Sequence, residues 1–382
     1  MTNHMTKAMY MERFAHLREE ALEKIRQVKE KGVKVAGTYC TYAPQEIMLA
    51  AGIFSVSLCG TKQEPIAAAE KVLPPALCPL IKSSYGFAAT DTCPFFYFAD
   101  FLVAETTCDG KKKMYELLAQ YKPLHLLQLP QEQNSPEAKA FWLAEVQKLK
   151  QYLEQQFSVR ITEEKLRQAI SLLNRERKAL KRVFDLNQRV PAPLSGMEML
   201  TVAHNRGFYP DKEELIGLLE GLADVVSAEA VKEKEGPRLL LTGVPVGLGS
   251  EKVIRLAEEL GAVVVCQENC TSYKPVDVLV DEEKSPLAAI ADKYLSIGCS
   301  CMSPNPNRYE LTGRLIREFH VDGVLDLTWT GCHTYAVEAY SMKEFVMKSC
   351  GVSYLALETD YSGTDTEQLR IRLEAFLEII ER

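Results

Sequence analysis

Phe101-Leu-Val-Ala-Glu105-Thr-Thr-Cys108-Asp-Gly110-Lys-Lys-Lys113 is the stretch that decides how this chain folds. Its apolar run has no polar alternation, which is how a strand buried on both faces reads, and parallel sheets are built of such strands. A short polar turn follows, and then a Lys-rich helix start. Strand, turn and helix in that order make the repeating unit of an α/β domain with a mainly parallel sheet. Cys108 falls at the carboxyl edge of the strand, where ligand sites collect in open α/β folds.

The same grammar extends in both directions. Val33 to Gly37, Ile53 to Leu58 and Leu124 to Leu129 read as further buried strands, separated by helical patterns such as Pro44 to Ala51 and Lys111 to Tyr121. A second unit begins at Arg238. Its strands are expected at Leu239 to Leu241, Ala262 to Val265, Val321 to Leu327 and Tyr354 to Leu357, with Ser250 capping a helix through Glu259 and another helix over Ala336 to Lys348. Between the units, Ser135 to Glu235 is charged and helix-periodic, broken at Val190 to Pro193 and at Gly207 to Pro210. The expected organisation is therefore two doubly wound, Rossmann-like α/β domains, 1–134 with a leading helix and 236–382, joined by a helical insert over 135–235 and facing each other across a cleft.

Composition narrows the function. With 45 Lys and Arg against 52 Asp and Glu the net charge is −7, so no bulk positive field exists to recruit nucleic acid. The segment Met1 to Gly32 is rich in Glu, Lys and Arg and lacks the pattern of a signal peptide, and no run approaches the roughly 18 apolar residues of a membrane span, so a cytoplasmic protein is expected. Gly243, Gly247 and Gly249 follow a strand, but their spacing fits neither the dinucleotide fingerprint nor a nucleotide P-loop, and they read as a tight turn.

Eleven cysteines stand out in a chain too long to need disulfide staples, and in a reducing compartment they point to metal or redox chemistry. Cys266 closes an apolar Val run and Cys350 precedes a Gly turn, so both read as packing residues. Cys108 and Cys332 each follow a strand and precede a helix, whose N-terminus is expected to favour the thiolate. Cys78 and Cys93 are each followed by proline in loops, and Cys270 and the Cys299-Ser300-Cys301 pair add thiols in the second half. Soft thiolates in this number suit an iron-sulfur cluster or zinc. There is no CxxC knuckle of the zinc type, and cysteines scattered singly over two domains fit a cluster held between them better.

Four stretches, Gly37-Thr-Tyr-Cys-Thr-Tyr-Ala-Pro-Gln-Glu46, Leu77-Cys-Pro-Leu-Ile-Lys-Ser-Ser-Tyr-Gly86, Glu105-Thr-Thr-Cys-Asp-Gly110 and Gly331-Cys-His333, resemble the 2-hydroxyacyl-CoA dehydratase and benzoyl-CoA reductase superfamily along nearly the whole chain. The resemblance implies a 4Fe-4S cubane on Cys78, Cys108 and Cys332. Gly298-Cys-Ser-Cys301 with Cys270 resembles the double-cubane branch, which implies an 8Fe-9S cluster on six cysteines, with Cys40 and Cys93 as reserve ligands.

The resemblance also implies an ATP-hydrolysing iron-sulfur reductase as electron donor, a small-molecule substrate and a homodimer. No nucleic-acid or membrane partner is expected. Lys82, Ser83, Tyr85 and His333 are candidates to tune the cluster or supply protons, or else are ordinary turn residues. The rival functions are a 2-hydroxyacyl-CoA dehydratase subunit with a single 4Fe-4S cluster and a non-catalytic cluster scaffold.

Overall fold

The computed structural model describes residues 5–229 and 236–380; the last residues of the expected insert, 230–235, lie outside them. Eight strands form, β1 Val35–Thr38, β2 Phe54–Ser57, β3 Phe101–Glu105, β4 Leu124–Leu127, β5 Arg238–Gly243, β6 Val263–Glu268, β7 Gly323–Trp329 and β8 Ser353–Thr359. They make two four-stranded sheets, ordered β2-β1-β3-β4 and β6-β5-β7-β8, and every pairing is parallel. All five residues of β3 and all seven of β7 are buried, as strands covered by helices on both faces must be. In each sheet the chain winds one way from the first strand to the second and the other way from the third, so a switch point lies between β1 and β3 and another between β5 and β7.

Between the sheets run four helices, Pro136–Phe157, Glu163–Asp185, Gly196–Asn205 and Lys212–Ala228. Their starts are written locally. Ser135 accepts from the Ala138 N–H ahead of a proline in the first turn, and Ser195 with Glu198 closes a capping box. The leading helix, Lys7–Glu30, buries Phe14, Leu17, Ala21 and Ile25 against this layer. Helix Pro286–Leu295, from the second half of the chain, packs on Pro136–Phe157. No described helix is long and apolar enough to cross a membrane.

Two local expectations change. Ser250 does not cap a helix: the helix is Lys252–Glu259 with Glu251 before it, and Ser250 Oγ closes the Gly247 turn, accepting from its N–H and donating to its carbonyl, both at 3.1 Å. Short-range bonding of a serine to its own turn competes with capping. The helices after β3 and β7 start earlier than their periodicity suggests, at Asp109 and His333, which turns Cys108 and Cys332 into their N-cap residues.

Candidate redox centre

Loops from the carboxyl ends of six strands converge on one cavity of about 360 Å³. Thr38 to Thr41 come from the end of β1, Cys59 follows β2, Thr107 to Lys111 follow β3, Val244 to Val246 follow β5, Cys270 follows β6 and Gly331 to Tyr335 follow β7. Both switch points thus open into the same space, and eight of the eleven cysteines line it. Cys266 and Cys350 are elsewhere; Cys266 borders a small void between Phe184, Met199 and Phe319.

Apart from Cys59, the lining thiols fall into two groups. Cys78, Cys108 and Cys332 each stand at a helix N-cap, and none of the three spends its side chain on capping. Cys332 and Cys78 titrate as a pair: the thiol of Cys332 accepts from that of Cys78, which pushes Cys78 up and holds Cys332 below the ordinary thiol range. The second group is Cys270, Cys299, Cys301 and Cys40, whose charges bear on one another. Donation from Cys301 is the main cause that brings Cys299 down to about 5, assisted by Lys274 and the Tyr335 hydroxyl. Burial pushes Cys270 up to about 11 and Cys40 well above the ordinary range. Cys108 corrects an expectation: burial raises its pKa despite the helix N–H at Lys111, because removal from water outweighs a few N–H dipoles.

The spacing of the two halves depends on Gly331. Its φ of +78° is left-handed, and a Cβ there would stand 2.3 Å from the Ala76 carbonyl oxygen and 3.1 Å from the Cys78 amide nitrogen. The loop carrying Cys332 therefore lies directly on the loop carrying Cys78.

Cations surround the thiols. Lys111 is buried with Nζ 2.7 Å from the Tyr39 carbonyl, which also accepts from Cys59 Sγ at 2.9 Å. Burial opposes its charge, but Tyr115, Cys40, Cys59 and Glu105 together hold its pKa well above the usual value. Behind Cys299, Lys274 pairs with Glu268 at 3.0 Å, both wholly buried, and donates to the Tyr335 hydroxyl at 3.1 Å. Arg308, also buried, faces Glu268, Asp326 and Glu338. Among the described residues no three His, Cys, Asp or Glu side chains close on a single metal ion; the thiols ring a wall. A many-atom inorganic cluster, which takes its ligands from all round a cavity, fits that donor set.

Of the other residues expected at the site, His333 is exposed at the cavity rim. Lys82 turns away, donating to Glu70 at 2.8 Å and to the Pro75 carbonyl at 2.7 Å. Ser83 is buried and bonds the Lys62 carbonyl at 2.7 Å, and Tyr85 packs edge-on to Tyr121, neither lining the cavity. Cys93 lies outside it as well, where its Sγ caps the helix Pro94–Phe98 by accepting from the Phe96 N–H at 3.4 Å. Sequence reasoning passed over Cys59, Lys111, Lys274 and Tyr335. Only the position of Lys111, three residues after Cys108, hinted at a role, and Lys112 and Lys113 beside it are exposed.

Comparison with known proteins agrees with this architecture. Residues 40–380 match the family described as 2-hydroxyglutaryl-CoA dehydratase, D-component. The YjiM protein of Escherichia coli (strain K12) is 46% identical over 372 residues, 97% of each chain. The (R)-phenyllactyl-CoA dehydratase beta subunit of Clostridium sporogenes is 23% identical over 360 residues, covering 93% of this chain and 94% of that one. A benzoyl-CoA reductase component of Thauera aromatica is 24% identical over 315 residues, 74% and 70% of the two chains. With the parallel sheets, the cysteine-lined cavity and a match along almost its whole length, the chain belongs to the 2-hydroxyglutaryl-CoA dehydratase D-component family, in the superfamily of the 2-hydroxyacyl-CoA dehydratases and benzoyl-CoA reductases.

Proposed function

We propose that this chain is an iron-sulfur reductase component that accepts low-potential electrons from an ATP-hydrolysing iron-sulfur reductase onto a double-cubane 8Fe-9S cluster and delivers them to a small substrate. The observation that carries the reading is the number and grouping of the thiols: a single cubane uses about four ligands, whereas eight cysteines line this cavity, and all but Cys59 fall into two groups. Cys78, Cys108 and Cys332 would hold one cubane and Cys270, Cys299 and Cys301 the other, with Cys40 alongside the second group. The cluster supplies stored electrons at low potential.

The protein's own residues support that work. Lys111 and Lys274 offset the charge of several buried thiolates, which low dielectric would otherwise make prohibitive. Tyr335, held by Lys274, keeps a hydroxyl proton beside Cys299. Apolar walls from Leu77, Leu80, Ile81 and Trp329 limit water in the cavity.

Anaerobically purified protein should be brown, carry roughly eight iron atoms with acid-labile sulfide per chain, and be reduced by a matching reductase only when ATP is present. Stoichiometric zinc without iron would overturn the proposal. About four iron atoms per chain, with water removed from a 2-hydroxyacyl-CoA, would establish the single-cubane dehydratase reading instead, which the dehydratase name of the Clostridium sporogenes relative favours. Intact transfer of the cluster to an apo-protein, with no turnover, would mark a scaffold.

A further inference from the structure

Part of the cavity wall is built of cations rather than thiols. Helices Glu163–Asp185, Lys212–Ala228 and Pro286–Leu295, with the turn Arg206–Phe208, bring Arg177, Arg206, Lys212 and Lys293 to its wall, and the carboxylates that pair with these cations are Glu46 and Glu176. Arg177 is paired with Glu46 at 2.6 Å. Arg206 and Lys212 share Glu176, each at 3.1 Å. Lys293 is left over. It is only 3% exposed and lines the cavity, yet its ammonium has no hydrogen-bond or carboxylate partner among the described residues. The Tyr294 ring, with its centroid 4.2 Å from Nζ, offers the weaker attraction of a π face. The Nε of Arg206 is also buried without a partner.

A buried cation without a counter-charge is costly unless something supplies the charge, and here the open side is the cavity. We propose that this part of the cavity receives the carboxylate of a small organic acid, with Lys293 as its ion-pair partner. Burial and the neighbouring Arg177 and Arg206 pull the free ammonium well below the usual lysine range, while Glu46 and Asp277 only partly oppose this. An arriving anion would restore the charge. The volume, about 360 Å³ shared with the thiols, lies near the lower limit of ligand cavities and admits a small acid rather than an enclosed nucleotide-sized molecule. As a substrate site this rests on the function proposed above; as an anion site it rests only on Lys293 and its neighbours.

The test is anaerobic calorimetric titration of the metal-loaded protein with propionate, propionamide and inorganic phosphate, with iron measured on the same samples. Propionate is expected to bind and propionamide, of the same shape without charge, not to. Lys293→Met should weaken propionate at least about tenfold, the usual size of a lost charge-assisted hydrogen bond, and Lys293→Arg should restore most of it. Should Lys293→Met not fold, Arg206→Gln is expected to weaken propionate in the same direction. Equal binding by wild type and Lys293→Met, tighter binding of phosphate than of propionate, or no carboxylate binding to iron-loaded protein would overturn the site. Propionate binding to a protein that holds no iron would instead sink the cluster proposal and leave this one standing.

Discussion

The hydroxyl of Tyr335 accepts a hydrogen bond of 3.1 Å from the Lys274 ammonium, while the ring lies beneath Lys274 and Arg308 at 5.5 and 4.8 Å from its centroid. Lys274 is fixed in turn by Glu268. The phenol proton is therefore free to point at Cys299, whose thiolate it stabilises.

Tyr335→Phe removes that proton together with the acceptor of the Lys274 bond, while Glu268 still pairs the Lys274 charge. It should keep the iron and the melting temperature, shift the midpoint potential of the cluster, and slow substrate reduction by roughly 10–100-fold, as losses of groups that bond to metal ligands do. Unchanged potential and turnover would show that the hydroxyl only packs.

Alanine variants sort the thiols. Loss of Cys78, Cys108 or Cys332 should cost most of the iron, since no water can replace a soft thiolate. Loss of Cys270, Cys299 or Cys301 should leave roughly half. Cys93→Ala, Cys266→Ala and Cys350→Ala should keep all of it, because these three lie off the cavity. Iron content by mass spectrometry decides; full iron in every variant would end the assignment.

Gly331→Ala introduces a methyl group where the Ala76 carbonyl already stands and forces alanine into a left-handed backbone. The backbone alone should cost about 1–3 kcal/mol, read as a lower melting temperature, and the separation of Cys78 from Cys332 should lower iron as well. A variant with wild-type iron and stability would show that the two loops slide apart freely.

His204 lines the cavity, and burial, with Arg18 and Lys62 nearby, pulls its pKa down to about 3. Its unfolded value is about 6.5. As pH falls from that value toward 3 the unfolded chain takes up a proton that the folded one refuses, so stability present above pH 6.5 is lost. Urea denaturation at pH 6 and pH 4 should show the wild type losing up to about 1.4 kcal/mol per pH unit more than His204→Gln. Equal slopes would mean that His204 protonates in the folded state.

Every expected strand is present, because buried parallel strands leave apolar runs without polar alternation, such as Phe101–Glu105, at the right spacing between helical patterns. The cysteines after strands were equally legible, since a strand end fixes where the next loop must lie. What sequence could not carry is which way a long side chain turns. Lys82 and Lys111 both follow a cysteine in a helix start, yet one salt-bridges outward to Glu70 and the other is buried against Tyr39. Lys293 sits in Ala291-Asp-Lys-Tyr294 like any surface lysine, and only helix packing from the other half of the chain encloses it. Cys93 and Cys78 share a following proline, but a 3.4 Å bond to Phe96 occupies the first.

The eight thiols on the cavity wall are drawn from positions as early as Cys40 and as late as Cys332. Synthesis proceeds from the N-terminus, and domains fold as they emerge. The first sheet can therefore be complete on the ribosome while four of these eight thiols, Cys270, Cys299, Cys301 and Cys332, are still untranslated. Loading of the proposed cluster would thus be an event of the released chain, and a nascent polypeptide halted before Cys332 is expected to stay colourless under anaerobic reconstitution conditions in which the full-length protein turns brown.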